Sequence, residues 1–144
     1  MSRHVDLLIV GAGPAGMSAA IVAKQHGLDV LVVDEQPSPG GQIWRNVENV
    51  AGTARAGLLG KAYGEGVAVV GRFRASGAAY EPGTQAWHVE AGARAFLRSG
   101  GAARSVQADY VLLATGAQER PAPFPGWTLP GVMTGGAAQL VLKY

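Results

Sequence analysis

Six residues near the amino terminus, Gly11-Ala12-Gly13-Pro14-Ala15-Gly16, constrain this chain more than any other stretch. They follow a short apolar run at residues 7–10, the pattern of a strand buried on both faces of a parallel sheet. In such a turn Gly11 permits the sharp exit from the strand and Gly13 lets backbone approach a pyrophosphate. Gly16 lets the following helix pack closely on the sheet. Pro14 suits a first helical turn, where its missing N–H costs nothing. The free N–H groups of that turn, at the positive end of the helix dipole, form an anion site. The spacing predicts a helix from about Pro14 to His26, closed by Gly27, with Ala20 as a second small residue on its sheet side. A second strand over residues 28–33 then ends on Asp34 and Glu35. An acid roughly 20 residues past the glycines is placed to accept ribose hydroxyls. Side chains alternate along a strand, so the two acids point oppositely; the register assigns the ribose to Asp34. The six residues alone also describe a turn used only for packing. Strand, glycines, helix, cap, strand and acid in this order point to a nucleotide site.

The remaining composition narrows the function classes. At 144 residues the chain suffices for one domain with a modest core, and 48% hydrophobic against 15% charged residues marks it as globular. A formal charge of +2, with the basic residues scattered, gives no footprint for nucleic acid. His4, His26 and His88 lie far apart without ligand spacing, so no metal site is expected. There is no cysteine, which excludes disulfide scaffolding and thiol redox catalysis within these residues. No apolar stretch is long enough to cross a bilayer, and the first strand begins too early to leave room for a signal peptide. A soluble, cytoplasmic protein is expected.

Residues 36–42, Gln-Pro-Ser-Pro-Gly-Gly-Gln, form a loop by composition; Gly40 and Gly41 suit either a plain turn or backbone laid against a ligand. Trp44 and Arg45 are expected to stack on the surface rather than line a pocket. Residues 46–60 carry little signal, whereas residues 54–76 read as a helix weakened by Gly64 and Gly66. Gly64-Glu65-Gly66 is no second nucleotide motif, because Val69 stands where the third glycine belongs. From Ala78 the pattern becomes short strands at residues 85–90, 94–97 and 104–107, with turns at Pro82-Gly83 and Gly100-Gly101. This predicts a small antiparallel meander serving as a crossover cover. Residues 109–114 read as a second buried strand, ending in Thr115 and Gly116, small residues that invite a ligand at its carboxyl end. Prolines 121, 123, 125 and 130 make an extended connector, and residues 136–144 a short final helix.

Three separated pieces now stand together: the glycine motif with Asp34, the Gly40-Gly41-Gln42 loop, and Ala114-Thr115-Gly116. Together they resemble the FAD-binding half of flavoproteins with two dinucleotide-binding domains, the pyridine nucleotide-disulfide oxidoreductase-like group. A more specific stretch runs from Gly116-Ala117-Gln118-Glu119-Arg120-Pro121 through Phe124-Pro125-Gly126-Trp127-Thr128-Leu129-Pro130-Gly131-Val132-Met133-Thr134. It is similar to the equivalent segment of opine oxidase, hydrogen cyanide synthase and sarcosine oxidase-like subunits, which oxidise C–N bonds of small amines.

The resemblance implies an α/β fold: a Rossmann-like parallel sheet with an antiparallel meander crossover. It also implies FAD as cofactor, a small amine as substrate, and a partner subunit. Gly11, Gly13, Pro14 and Ala15 would face the pyrophosphate, and Gly16 is counted with them in the cofactor-binding set. Asp34 would take the adenosine ribose, with Glu35 and Gln36 beside it. Gly41 and Gln42 would run along the dinucleotide, Ala114, Thr115 and Gly116 would close over it, and backbone near Ala86 would reach adenine. Such relatives continue into a second glycine-motif domain and return with a final strand of the FAD domain. Residues 1–144 are therefore expected to be one incomplete FAD-binding domain, inactive alone, with no residue assignable to catalysis. The alternatives are an NAD(P)H-dependent reductase of the same fold, against which the missing cysteines argue, and a non-catalytic nucleotide-binding module.

Overall fold

The computed structural model describes residues 3–143. Strand β1 (Arg3–Val10) leads through the glycine turn into helix α1 (Pro14–Gln25) and strand β2 (Val30–Asp34). β1 begins four residues before the expected start because Arg3, His4 and Val5 pair in parallel with Val106, Gln107 and Ala108, a long-range pairing that hydropathy cannot show. The end of α1 explains why β2 begins late. Gly27 N–H donates to the Lys24 carbonyl and Leu28 N–H to that of Ala23, the double bond of a Schellman cap, with Gly27 at φ +80°. Leu28 is thus consumed by the cap, and the Asp29 carbonyl accepts from Asp6 and Leu7 before regular pairing starts.

A short helix α2 (Val47–Val50) occupies a stretch without a sequence signal. The single helix expected over residues 54–76 is two, α3 (Ala54–Leu59) and α4 (Lys61–Ala75), parted at Gly60. Gly66 is needed inside α4: a Cβ there would lie 2.4 Å from Cγ of the Trp44 indole. Strands β3 (Ala79–Pro82), β4 (Thr84–Glu90), β5 (Arg94–Ser99) and β6 (Ala102–Leu113) follow, and α5 (Gly135–Lys143) ends the described chain. Tyr144, the expected last residue of that helix, lies outside the described residues.

All six strands join one sheet in the order β3-β2-β1-β6-β5-β4, parallel from β3 to β6 and antiparallel from β6 to β4. The α/β class with a parallel, Rossmann-like portion and an antiparallel meander is therefore as expected. Two details are not. Residues 104–107 and 109–114 are not separate strands: β6 runs without a break, its first half bonded to β5 and its second to β1. Its second half is also not buried, Tyr110 being 74% and Leu113 66% exposed. Apolar composition signalled burial, but among the described residues only β1 pairs with this half.

Alternation along the strands builds two cores. Ile9, Val30 and Val32 face the helices and pack with Met17 and Ala20 of α1 and Val70 and Phe73 of α4. Leu8, Leu31 and Val33 face the other way, onto Ala95 and Leu97 of β5 and Val106 of β6. The meander thus covers the second face while remaining part of the sheet. Each such aliphatic side chain, fully buried, contributes about 1.5–3 kcal/mol.

Tyr80 marks a flaw in the first core. Its ring meets Phe73 edge-on at 5.4 Å and the Arg74 guanidinium stands 5.2 Å above it, yet its buried hydroxyl has no hydrogen-bond partner among the described residues. Burial, with the Asp34 charge adding, pushes the phenol up to about 12. An unsatisfied buried hydroxyl costs stability whereas the ring does not, so Tyr80→Phe is expected to raise unfolding stability by up to about 1 kcal/mol in urea. A loss of that size would mean that the hydroxyl is bonded.

Candidate functional site

At the carboxyl ends of β1 and β6 the connections diverge: the chain leaves β1 toward β2 on one side, while β6 lies on the other. A crevice at this switch point is where open α/β sheets take their ligands. Here it is a groove of about 680 Å³.

The first wall is the glycine turn, with Gly11, Gly13, Pro14 and Ala15 on the groove. Gly11 adopts φ +107°, and a Cβ on it would lie 2.3 Å from the Ala114 carbonyl oxygen. No side chain caps α1, whose N-cap is Gly13, so its opening amides are left for an anion. Gly16, counted with the cofactor-binding residues but expected to serve close helix packing, does not line this wall. It sits behind the turn, where a Cβ would lie 1.9 Å from the Gly11 carbonyl oxygen. Its part is to let helix and turn touch.

The second wall carries Asp34, Glu35 and Gln36. The Asp34 carboxylate accepts from Ala12 N–H at 2.5 Å and from Gln36 N–H at 2.8 Å, tying the end of β2 to the glycine turn. A carboxylate offers about four lone-pair sites, so two bonds leave capacity for ribose hydroxyls. Glu35 is exposed and makes no such bond in the described structure. The start of β4 lies alongside, since Gly83 N–H donates to the Gln36 carbonyl, and Thr84, Gln85 and Ala86 line the groove there.

Gly41 and Gln42 form the third wall and Ala114, Thr115 and Gly116 the fourth. Gly41 packs backbone to backbone on the turn: a Cβ on it would be 2.9 Å from Gly13 Cα. Gln42 Nε2 donates to the Ala117 carbonyl at 3.0 Å and joins the two walls. Ala114 N–H donates to the Val10 carbonyl, fixing the end of β6 beside that of β1.

Every predicted site residue except Gly16 therefore meets in one groove. Trp44 and Arg45 are placed differently from their expected surface stack. Arg45 is no surface stack: it lines the groove, and its Nη1 donates to Gln36 Oε1 at 2.8 Å. Trp44 turns inward instead, packing on Gly66 and donating Nε1–H to the Ala62 carbonyl. A lone Arg after a loop gives no sequence signal for this; Thr84 and Gln85 gave none either, because their place depends on strand register.

Asp34→Ala is expected to weaken adenosine-containing ligands about tenfold or more, at roughly 1.5–3 kcal/mol per charged hydrogen bond. Glu35→Ala should change affinity less than threefold, about 0.6 kcal/mol. Because Asp34 also holds the turn, its variant should lose unfolding stability too. Equal binding losses, or the reverse order in an ADP titration, would overturn the assignment.

Comparison with known proteins gives the family. The family model for pyridine nucleotide-disulphide oxidoreductase matches residues 5–140. The chain is 49% identical to an opine oxidase subunit of Rhizobium meliloti, over 96% of this chain and 30% of that protein. It is 37% identical to the hydrogen cyanide synthase subunit HcnB of Pseudomonas aeruginosa, over 94% of this chain and 30% of that one. The fold is similar to the crystal structure of L-proline dehydrogenase from P. horikoshii, with a TM-score of 0.77, 27% identity, and coverage of 99% of this chain and 29% of that one. The chain thus spans about 30% of the length of the curated relatives it matches. Among the described residues no helix is long and apolar enough to cross a membrane, and no group of acidic or histidine side chains could hold a metal ion. With the glycine turn, the strand-end acid and the family match over nearly all of its length, the chain belongs to the pyridine nucleotide-disulphide oxidoreductase family of FAD-binding oxidoreductases.

Proposed function

We propose that residues 1–144 are the dinucleotide-holding part of an FAD domain, in a flavoenzyme that oxidises C–N bonds of small amines or amino acid derivatives. One observation carries the reading: the uncapped start of α1, the Asp34 carboxylate and the small residues after β6 converge on one groove at the switch point. In this reading Gly13, Pro14 and Ala15 bind the pyrophosphate and Gly41 and Gln42 flank it. Asp34 holds the adenosine ribose and backbone at Ala86 lies toward adenine. Thr115 and Gly116 close the remaining side. When bound, FAD supplies a ring system that accepts hydride from carbon next to nitrogen; the protein supplies binding and orientation. The amine chemistry draws support from similarity to opine oxidase subunits and to the proline dehydrogenase, and belongs to the assembled protein. The relatives are named as subunits, which supports a partner chain, and the reading places the protein in the cytoplasm.

The nucleotide part is tested by titrating the chain with FAD, ADP and FMN. FAD and ADP should compete for one site and FMN should not displace them; preference for FMN would overturn the assignment of the groove to adenosine and pyrophosphate. The amine part is tested anaerobically on the FAD-loaded assembled protein with opines, sarcosine and proline. Bleaching of the flavin band by an amine is expected. Bleaching by NADH or NADPH and by no amine would replace this reading with a reductase.

A further inference from the structure

The loop that forms the third wall is pinned at its start, where Gly40 N–H donates to the Ala12 carbonyl, and by the Gln42 side chain on the Ala117 carbonyl. Gln42 and Ile43 are exposed, and Gly40 and Gly41 bring no side chains. The next two backbone carbonyls, of Gln42 and Ile43, are held from the far end of the chain. Lys143, only 5% exposed, donates from Nζ to the Gln42 carbonyl and to the Ile43 carbonyl, each at 2.9 Å, and its ammonium lies 5.9 Å from the centre of the Tyr63 ring. A buried ammonium is costly to desolvate and is found where its donors are used. Here it meets two neutral carbonyls, and no ion pair with a carboxylate is found for it among the described residues. Burial, with the Arg45 charge adding, pulls its pKa down, in keeping with an enclosed group.

The helix bearing Lys143 is fixed at both ends. At its start the Glu119 carboxylate accepts from Gly136 N–H at 2.9 Å and from the Thr134 hydroxyl, so α5 is tied to the segment leaving the fourth wall. At its end Arg55 Nη2 donates to the Leu142 carbonyl at 2.9 Å. α5 is therefore a brace running from the segment after Thr115 and Gly116 back to the loop that carries Gly41.

We propose that Lys143 is a positioning residue for the dinucleotide: by clamping the Gln42 and Ile43 carbonyls it keeps Gly41 seated on Gly13 and holds the third wall of the groove in its binding shape. The proposal rests on reading the groove as the dinucleotide site, and goes beyond it in assigning a role to a residue that lines no part of the groove. Lysine suits the task because three donors on one compact head can serve two adjacent carbonyls at once.

The test uses Lys143→Met, Lys143→Arg and the exposed control Lys61→Met, with two readouts. In the ligand-free chain, amide exchange at residues 41–44 should rise at least tenfold in Lys143→Met and stay unchanged in the control. FAD affinity should fall about tenfold in Lys143→Met, the loss expected for charged hydrogen bonds, and the guanidinium donors of Lys143→Arg should restore most of it. Lys143→Gln, which keeps a neutral donor in the same space, replaces the Met variant if that one does not fold, with a smaller change in the same direction. Unchanged exchange overturns the clamp whether or not FAD binds. Faster exchange with unchanged FAD affinity, or loss without rescue by Arg, overturns the positioning role. If the parent chain binds neither FAD nor ADP, the nucleotide reading fails, while the exchange experiment still decides the clamp.

Discussion

Gly13→Val is expected to abolish FAD binding and leave the ligand-free fold intact. The separation follows from where the new atoms would go. A Cβ on Gly13 finds only Gly41 Cα, at 3.8 Å, which is ordinary van der Waals contact. Gly13 has φ −74° and ψ −177°, extended backbone open to any residue, so valine introduces no strain beyond the poor N-cap preference of a branched side chain. Its two γ-carbons, however, enter the space before the opening amides of α1. Anion hydrogen bonds of roughly 1.5–3 kcal/mol each are lost there, so two of them amount to a weakening on the order of a hundredfold to ten-thousandfold. FAD titration reads the loss, and the far-ultraviolet circular dichroism and urea midpoint of the ligand-free chain read the fold. Parent-like FAD affinity in the valine variant would reduce the motif to a packing turn; a collapsed urea midpoint would mean that the residue holds the fold rather than the ligand.

What the sequence made legible was local. The strand, glycine turn, helix, cap and acid are dictated by residues within one another's reach along the chain, and the structure shows them with boundaries shifted by a few residues. Gly27 could be read as a cap because a left-handed residue after a helix has few other uses. The misreadings share a cause: each residue answers to a partner distant in sequence. Trp44 is turned inward by the absence of a side chain at Gly66, and Arg45 is turned to the groove beside Gln36. β6 is continuous because β1 and β5 pair with successive halves of it, and neither pairing leaves a mark on its hydropathy. Lys143 lies 101 residues from Gln42, and a lysine near the end of a helix ordinarily signals only a favourable dipole interaction.

The glycine motif itself conceals a distinction that the structure draws and stability measurements can test. Gly27→Ala should cost about 1 kcal/mol: the backbone is at φ +80°, but nothing lies within 4 Å of the added carbon, so only conformational strain is felt. Gly11→Ala carries similar strain at φ +107° and in addition drives a methyl to 2.3 Å from the Ala114 carbonyl oxygen. Strain of about 1–2 kcal/mol and overpacking of about 1–3 kcal/mol add to about 2–5 kcal/mol, a large share of the roughly 5–15 kcal/mol that stabilises a domain. Gly16→Ala isolates the clash. The residue is helical, where alanine is favoured by about 1 kcal/mol, yet the methyl would lie 1.9 Å from the Gly11 carbonyl oxygen, so backbone must move. That movement pushes the start of α1 away from the end of β1, where the groove is formed. Gly16→Ala is therefore expected to lose about 1–3 kcal/mol and, although it lines no part of the groove, to weaken FAD at least tenfold. Gly27→Ala, at the other end of the same helix, should leave FAD affinity unchanged. Urea denaturation of the three variants gives the stability order, and FAD titration separates the helix start from its end. If Gly16→Ala proves as mild as Gly27→Ala in both measurements, the close seating of α1 on the glycine turn does not shape the site.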